Sequence, residues 1–471
     1  MKKILLFVIL LSLVFYPFGT IASAQTIACG YAHSFAVCND NTAVAWGLNI
    51  DGQLGNGTNT NSKVPAHVNS LTGITAIAGG WDHSLALKND GTVWAWGSNG
   101  VGELGNGNNT FSNVPLPVSS LTGIIAITGG YSHSLALKND GTVWAWGYNN
   151  YGELGNGNNT NSNVPVPVSF LTGITAISGG YDHSLALKND GTVWAWGWNY
   201  SGQLGNGSNT DSNIPIQVNS LTGITAIAGG WEHSLALKND GTVWAWGANL
   251  YGELGNGNTA NSNVPVPVSS LTSIIAIAGG WSHSLALKND GTVWAWGYNN
   301  YGELGNGTNT YSNVPVSVSS LTGITAIAGG AYHSLALMNN GMVWAWGFNY
   351  YGELGNATNT DSNVPVPVKG LCTPLTTAVN EITEQLSVSV FPNPSSGKLS
   401  VQLSENISSI EIINLLGEKI FTSTNNHSPS RSALAEHGQT STIDLSSQPK
   451  GFYFVQVKDE NEIVTKKIII Q

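Results

Sequence analysis

From Ile74 the chain reads ITAIAGG, an apolar run that ends in two glycines. HSLALK (His83 to Lys88) then alternates large and small side chains, and TVWAWG (Thr92 to Gly97) alternates again. A period of two predicts strands, and nothing in the stretch has helical spacing. Asn89-Asp90-Gly91 between the two runs predicts a tight hairpin, because Asp and Gly accept positive φ. A polar loop rich in glycine and asparagine leads to VPLPV (Val114 to Val118). Pro115 and Pro117 cannot donate to a ladder, so this fourth strand belongs at a sheet edge. The first strand, rich in alanine and glycine, suits the most crowded place.

The pattern returns every fifty residues, carrying His33, His83, His133, His183, His233, His283 and His333 with it. Four strands in a repeat of about 40 to 50 residues describe a propeller blade, so the expected fold is all-β, a seven-bladed β-propeller. Parity places His83, Leu85 and Leu87 on one face of the second strand, and Trp94 and Trp96 together on one face of the third. A bulky face and a slim face per blade are expected, stacked bulky on slim around the ring. The recurring histidine shares its face with leucines and is expected to bond a backbone group of a neighbouring strand, since a buried imidazole must be satisfied. Catalysis needs unlike groups converging on one point, and metal ligands must lie roughly 2 Å from one ion. Seven equivalent histidines around a ring meet neither condition. No metal and no cofactor is expected, and the chain is not expected to be an enzyme.

The stretch AGGWDHSLALKNDGTVWAWGSNGVGELGNG resembles the regulator of chromosome condensation repeat. The resemblance runs from about Thr26 to Leu371 and implies a seven-bladed propeller. The family's eukaryotic founder exchanges guanine nucleotide on a small GTPase and binds chromatin, while the related β-lactamase inhibitory protein II family clamps a secreted enzyme. Equal spacing leaves no blade with an inserted wedge, so nucleotide exchange is not expected. A second resemblance lies in SVSVFPNPSSGKLSV (Ser387 to Val401), SIEIINLLGEKI (Ser409 to Ile420) and IDLSSQPKGFYFVQV (Ile443 to Val457). These look like the type A sorting domain of type IX secretion, a small immunoglobulin-like β-sandwich that steers cargo through the outer membrane.

The N-terminus fits export. Lys2 and Lys3 precede the apolar run Ile4 to Phe15, and Ala22-Ser23-Ala24 is a small-x-small cleavage site that leaves Gln25 first. The expected organisation is a signal peptide at 1–24, the propeller at 25–372, a linker at 373–386 and the sorting domain at 387–471. No membrane span is expected in the mature chain, which reaches the outside or the outer cell surface through the periplasm. Net charge is −11 and Arg431 is the only arginine, which suits neither phosphate backbones nor an anionic membrane. Nucleic acid is therefore not an expected partner. Export permits a disulfide. The expected pair is Cys38 and Cys372, with the returning tail entering the slot before the first strand. Cys29 lies roughly 15 Å from the far end of the second strand, beyond disulfide reach. Two unpaired thiols are the alternative.

The repeats differ in two connections expected on one side of the disc. Between the glycines and the histidine stand Trp81, Tyr131, Tyr181, Trp231, Trp281 and Tyr332; after Trp-Gly stand Tyr148, Trp198, Tyr298 and Phe348. The opposite hairpins barely vary. Aromatic rings with few charges are what binding surfaces use, so these ten residues are the candidate ligand-binding set. The expected function is a secreted or cell-surface, non-catalytic propeller that recognises an extracellular protein or glycan and uses the type IX machinery for export. The alternative is a carbohydrate-active or polysaccharide-binding accessory protein, with Asp82, Asp182 and Glu232 as carboxylates. Glycosidases need two carboxylates about 5 to 10 Å apart, which blade-wise repetition does not favour. Glu103, Glu153, Glu253, Glu303 and Glu353 are expected to brace their loops.

Overall fold

A computed structural model describes residues 24–372, 388–403, 409–414, 418–424, 439–458 and 463–471. The expected signal segment before Ala24 and the expected linker 373–386 lie outside the described residues. The chain forms two compact units, Met1–Pro374 and Leu375–Gln471.

In the first unit, β1 (Ala24–Cys29), β2 (His33–Cys38), β3 (Ala43–Gly47) and β4 (Ser62–His67) form one antiparallel sheet in that order. Six more such sheets follow, ending with β28 (Ser362–Pro367), so each of the seven blades comes from a single repeat. Gly91 takes φ +77° in the predicted hairpin, and Asp90 holds both the N–H and the hydroxyl of Thr92. The proline-bearing strand is the edge strand of each blade. In the second blade it starts at Ser112 rather than Val114, because Ser112 pairs with Gly97 and its hydroxyl donates to the Val114 carbonyl at 2.6 Å.

The expectation of one bulky and one slim face needs correction. Leu85 pairs with Ala95 and Ala86 with Trp94, and directly paired residues share a face. Leucines therefore lie on one face with Val93 and Ala95, and tryptophans on the other with Ser84 and Ala86. Each face mixes a large strand with a small one. Between blades two and three, Leu85, Leu87, Val93 and Ala95 meet Ala136 and Trp146 in one buried cluster.

The histidines lie in these seams. Each Nε2 lies 2.8–3.2 Å from the serine hydroxyl that follows the histidine of the next blade, and His333 closes the circle on Ser34. Each serine hydroxyl in turn donates, over 2.7–3.1 Å, to a backbone carbonyl in the preceding blade. Its single proton is thereby committed, so the imidazole donates from Nε2. The same carbonyl accepts the indole N–H of Trp46, Trp96 and their five equivalents at 2.7–2.8 Å. The histidine's partner is thus a side chain of the next blade rather than the backbone group expected. Burial drives the imidazole pKa down to about 3 or 4 in all seven, so the rings stay neutral.

The inner strands surround a channel of about 370 Å³ lined by Ile77, Ala78, Gly79 and their equivalents, with the unbridged Cys29 among them. The glycine pair at the end of each inner strand is required there. A Cβ on Gly79 would lie 2.4 Å from the Gly30 Cα, and one on Gly80 would lie 2.1 Å from the His83 ring.

Cys38 and Cys372 form a disulfide with Cα atoms 5.5 Å apart. Ala24, the residue before the expected cleavage point, is the first residue of β1 and pairs with Cys38. Cys372 approaches Cys38 from a turn rather than as part of a strand. In the second unit, β29 (Val388–Phe391), β30 (Lys398–Leu403) and β33 (Gln439–Asp444) make one sheet. A second sheet contains β31 (Ser409–Asn414), β32 (Lys419–Thr424), β34 (Gly451–Lys458) and β35 (Ile463–Ile470). Leu399 and Val401 of the first sheet share a core with Ile412 and Val455 of the second. Asn393 between its two prolines ties to the last strand, accepting from Ile469 N–H and donating to Lys467.

Candidate functional site

The turn between the first two strands of each blade opens onto one face of the disc, and its rings converge on the axis. Neighbouring centroids lie close: Tyr31–Trp81 at 3.5 Å, Trp81–Tyr131 at 4.6 Å, Tyr131–Tyr181 at 4.2 Å and Trp231–Trp281 at 4.5 Å. Rings of non-adjacent blades also meet, Trp81 with Trp281 at 5.2 Å and Tyr181 with Trp281 at 6.2 Å. Such contacts across the axis leave no open bore, so the rings plug one mouth of the channel. Beneath them the turns are laced by backbone bonds, from Tyr31 N–H to the Gly80 carbonyl around to Ala331 N–H on the Tyr31 carbonyl.

The second set of rings comes from the loop after Trp-Gly. An asparagine fixes that loop: Asn99 accepts from Leu104 N–H and donates to the carbonyls of Asn108 and Thr110. Trp198 lies 5.9 Å from Tyr151 and Tyr148 lies 6.3 Å from Tyr151. Tyr298 stacks on Tyr311 at 5.0 Å, and Phe348 meets Tyr301 at 4.9 Å. Tyr332 joins the two sets, 5.1 Å from Trp281 and 5.8 Å from Tyr298. Eight of the ten residues singled out from the sequence join one network of touching rings, while Tyr148 and Trp198 form a separate cluster with Tyr151 on the same face; all ten are half-buried.

The most exposed apolar side chains of this face lie outside that set: Tyr200 at 75%, Leu250 at 69%, Tyr350 at 66% and Ile50 at 60%. Tyr151, Tyr251, Tyr301 and Tyr351, which precede Gly-Glu-Leu-Gly, were not among the expected site residues. Their signal was present, because the same position holds Asp51, Val101 and Ser201 elsewhere.

Carboxyl groups floor the face. Glu103, Glu153, Glu253, Glu303 and Glu353 each accept the backbone N–H two residues upstream at 2.9–3.0 Å, bracing the loop from within. Asp82 accepts from Gln53 Nε2 at 2.9 Å, and Glu232 accepts from the Ser201 hydroxyl. Burial pushes Asp82 and Asp182 up to about 7 and Glu153 and Glu353 up to about 8. Among the described residues no cluster of histidine, cysteine and acidic side chains has metal-holding geometry, and no described helix is long and apolar enough to cross a membrane.

Comparison with known proteins agrees with this architecture. The RCC1-like domain family matches residues 122–383, and regulator of chromosome condensation (RCC1) repeats match 43–87 and 90–137. A secretion system C-terminal sorting domain matches 389–471. Human WBSCR16 is 25% identical, over 69% of this chain and 93% of its own, with a TM-score of 0.64. Prp20p of Saccharomyces cerevisiae is 24% identical, over 78% of this chain and 90% of its own, with a TM-score of 0.63, and shares the fold. The chain belongs to the RCC1-like family, as a seven-bladed propeller that carries a C-terminal sorting domain for secretion.

Proposed function

We infer that the chain is a secreted or cell-surface binding protein without catalysis, whose aromatic face recognises an extracellular protein or glycan. The sorting domain implies export across the outer membrane. The observation that carries the reading is the unbroken contact of rings from the axial plug through Tyr332 to the rim. A contiguous apolar patch rimmed by polar loops is the usual mark of an interaction site. The opposite face holds near-identical hairpins in which lysine pairs with aspartate, as Lys188 with Asp190 at 3.5 Å. The absence of catalysis is supported by how the polar groups are used. The histidines are neutral and committed to serines, and one oxygen of each recurring glutamate is bound to its own loop.

The test is capture from the extracellular medium of the producing cells. Wild type retains a partner or polysaccharide; Trp198→Ala, which removes a large ring of the outer loops, loses it by at least about tenfold, as aromatic anchors do. Asp190→Asn in an opposite hairpin retains it. Equal retention by all three proteins contradicts the face assignment.

A further inference from the structure

The propeller's charges are sorted between its two faces. Asp40, Asp90, Asp140, Asp190, Asp240 and Asp290 stand in the hairpins, and every other acidic residue between 24 and 372 lies in the loops of the aromatic face. Lysines follow the opposite rule. Lys88, Lys138, Lys188, Lys238 and Lys288 pair with the hairpin aspartates. Only Lys63, at the start of β4, stands on the aromatic side, and the propeller has no arginine. The aromatic face is therefore acidic with almost nothing of its own to neutralise it.

One seam shows this most sharply. Where Gln53 donates to Asp82 at 2.9 Å, the same two repeat positions between blades three and four hold Glu153 and Asp182. The amide donor is lost, so a second carboxyl stands in its place and Asp182 acts electrostatically on Glu153. Glu153 Oε1 and Asp182 Oδ1 have no partner, and the residues are 0% and 6% exposed. The groups that act on the pair are Asp211, Glu232, Tyr148 and Tyr181, none of them basic. The Trp198 backbone N–H donates to the Asp182 backbone carbonyl at 2.7 Å, which sets the Trp198 loop beside the pair. The rings of Tyr148, Tyr151 and Trp198 form the roof.

We propose that the aromatic face docks a basic protein surface, with a lysine or arginine side chain seated on the rings of Tyr148, Tyr151 and Trp198 above Glu153 and Asp182. Ring faces attract cations, and buried carboxylates beneath them add a field that water screens little. Without a cation, burial among other carboxyls keeps a proton on the pair near neutral pH. A cation on the roof favours the doubly ionised pair, so docking releases that proton to the buffer. A neutral glycan does neither. The proposal rests on the face being the binding surface, and its test separates the two claims.

The probes are an oligoarginine peptide, its neutral citrulline counterpart and a neutral oligosaccharide, titrated calorimetrically at about pH 7 in buffers of different ionisation enthalpy. Oligoarginine is expected to bind, to lose about tenfold or more between low and high salt, and to release protons; the citrulline peptide is expected not to bind. Glu153→Gln recreates the Gln53–Asp82 arrangement, so it folds, and it should lower proton release to what Asp182 alone supplies. Trp198→Ala should weaken oligoarginine about tenfold, and Asp190→Asn should leave it unchanged. Absence of oligoarginine binding, equal binding of the citrulline peptide or the oligosaccharide, or unchanged proton release in Glu153→Gln each overturns the proposal. If Trp198→Ala loses the natural partner while oligoarginine ignores the face, the binding surface stands and its basic partner does not.

Discussion

Six of the seven seams are crossed by the chain itself; the seam between the last blade and the first is not. Its non-covalent contacts match the others, with His333 on Ser34 at 2.8 Å and Trp46 on the Glu353 carbonyl at 2.8 Å. The disulfide supplies the covalent link that this seam otherwise lacks. It closes a loop across a sequence separation of 334 residues. Chain-entropy reasoning for a loop of that size gives about 6 kcal/mol at 25 °C, and measured disulfides commonly deliver about half of such values. For a ring of about 350 residues, unfolding entropy of about 2.1 cal/mol/K per residue sums to about 0.7 kcal/mol/K. The double substitution Cys38→Ser with Cys372→Ser should therefore lower the propeller's Tm by about 4 to 8 °C. Scanning calorimetry of the two proteins measures it, and reductant should bring wild type to the variant's value. Melting within about 1 °C of each other, or alkylation of both thiols in native wild type, rules out a stabilising covalent link at this seam.

His183→Ala removes the bond to Ser234 and opens a void, so stability should fall by about 1 to 3 kcal/mol with ligand binding per folded molecule unchanged; denaturant melts beside binding titrations check this. Stability should be greatest in a narrow window at about pH 6 to 6.5, where the unfolded histidines lose their protons. Below that window the unfolded state binds protons that the buried histidines, with pKa about 3 or 4, refuse. Above it the unfolded state has already lost the protons that Asp82, Asp182, Glu153 and Glu353 keep up to about 7 or 8; Tm across pH tests both flanks. Deleting Ser387 to Gln471 should leave a folded ring in the periplasm, because the propeller is its own compact unit, and should abolish surface delivery. Fractionation of the truncated protein checks it.

Much of the fold was legible because it is local. Asp90-Gly91 sets its hairpin, Pro115 and Pro117 confine their strand to the edge, and the fifty-residue period counts the blades. What was not legible depends on closure of the ring. The partner of His83 is Ser134, a residue of the next blade, and neither its identity nor its serine-to-carbonyl relay follows from one repeat. The two-faced stacking failed because parity within a strand does not say which face of the adjacent strand it joins; the pairing of Leu85 with Ala95 decides that. Trp81 and Trp281 meet only because inner turns converge on the axis, so rings read as outward anchors proved to be half-buried in a plug. Glu153 read as one more copy of a bracing residue until Asp182 was found to act on it.

If binding takes place on the aromatic face, footprinting of the captured complex will find its protection there. Hydroxyl radicals oxidise exposed aromatic and sulfur-bearing side chains, and Tyr200, Tyr350 and Met342 are all accessible in the free protein. In the complex, Tyr200, Tyr350 and Trp198 should be protected while Met342, in a hairpin of the opposite face, keeps its free-protein rate. Protection of Met342 with unchanged oxidation of Tyr200, Tyr350 and Trp198 would place the bound partner on the opposite face.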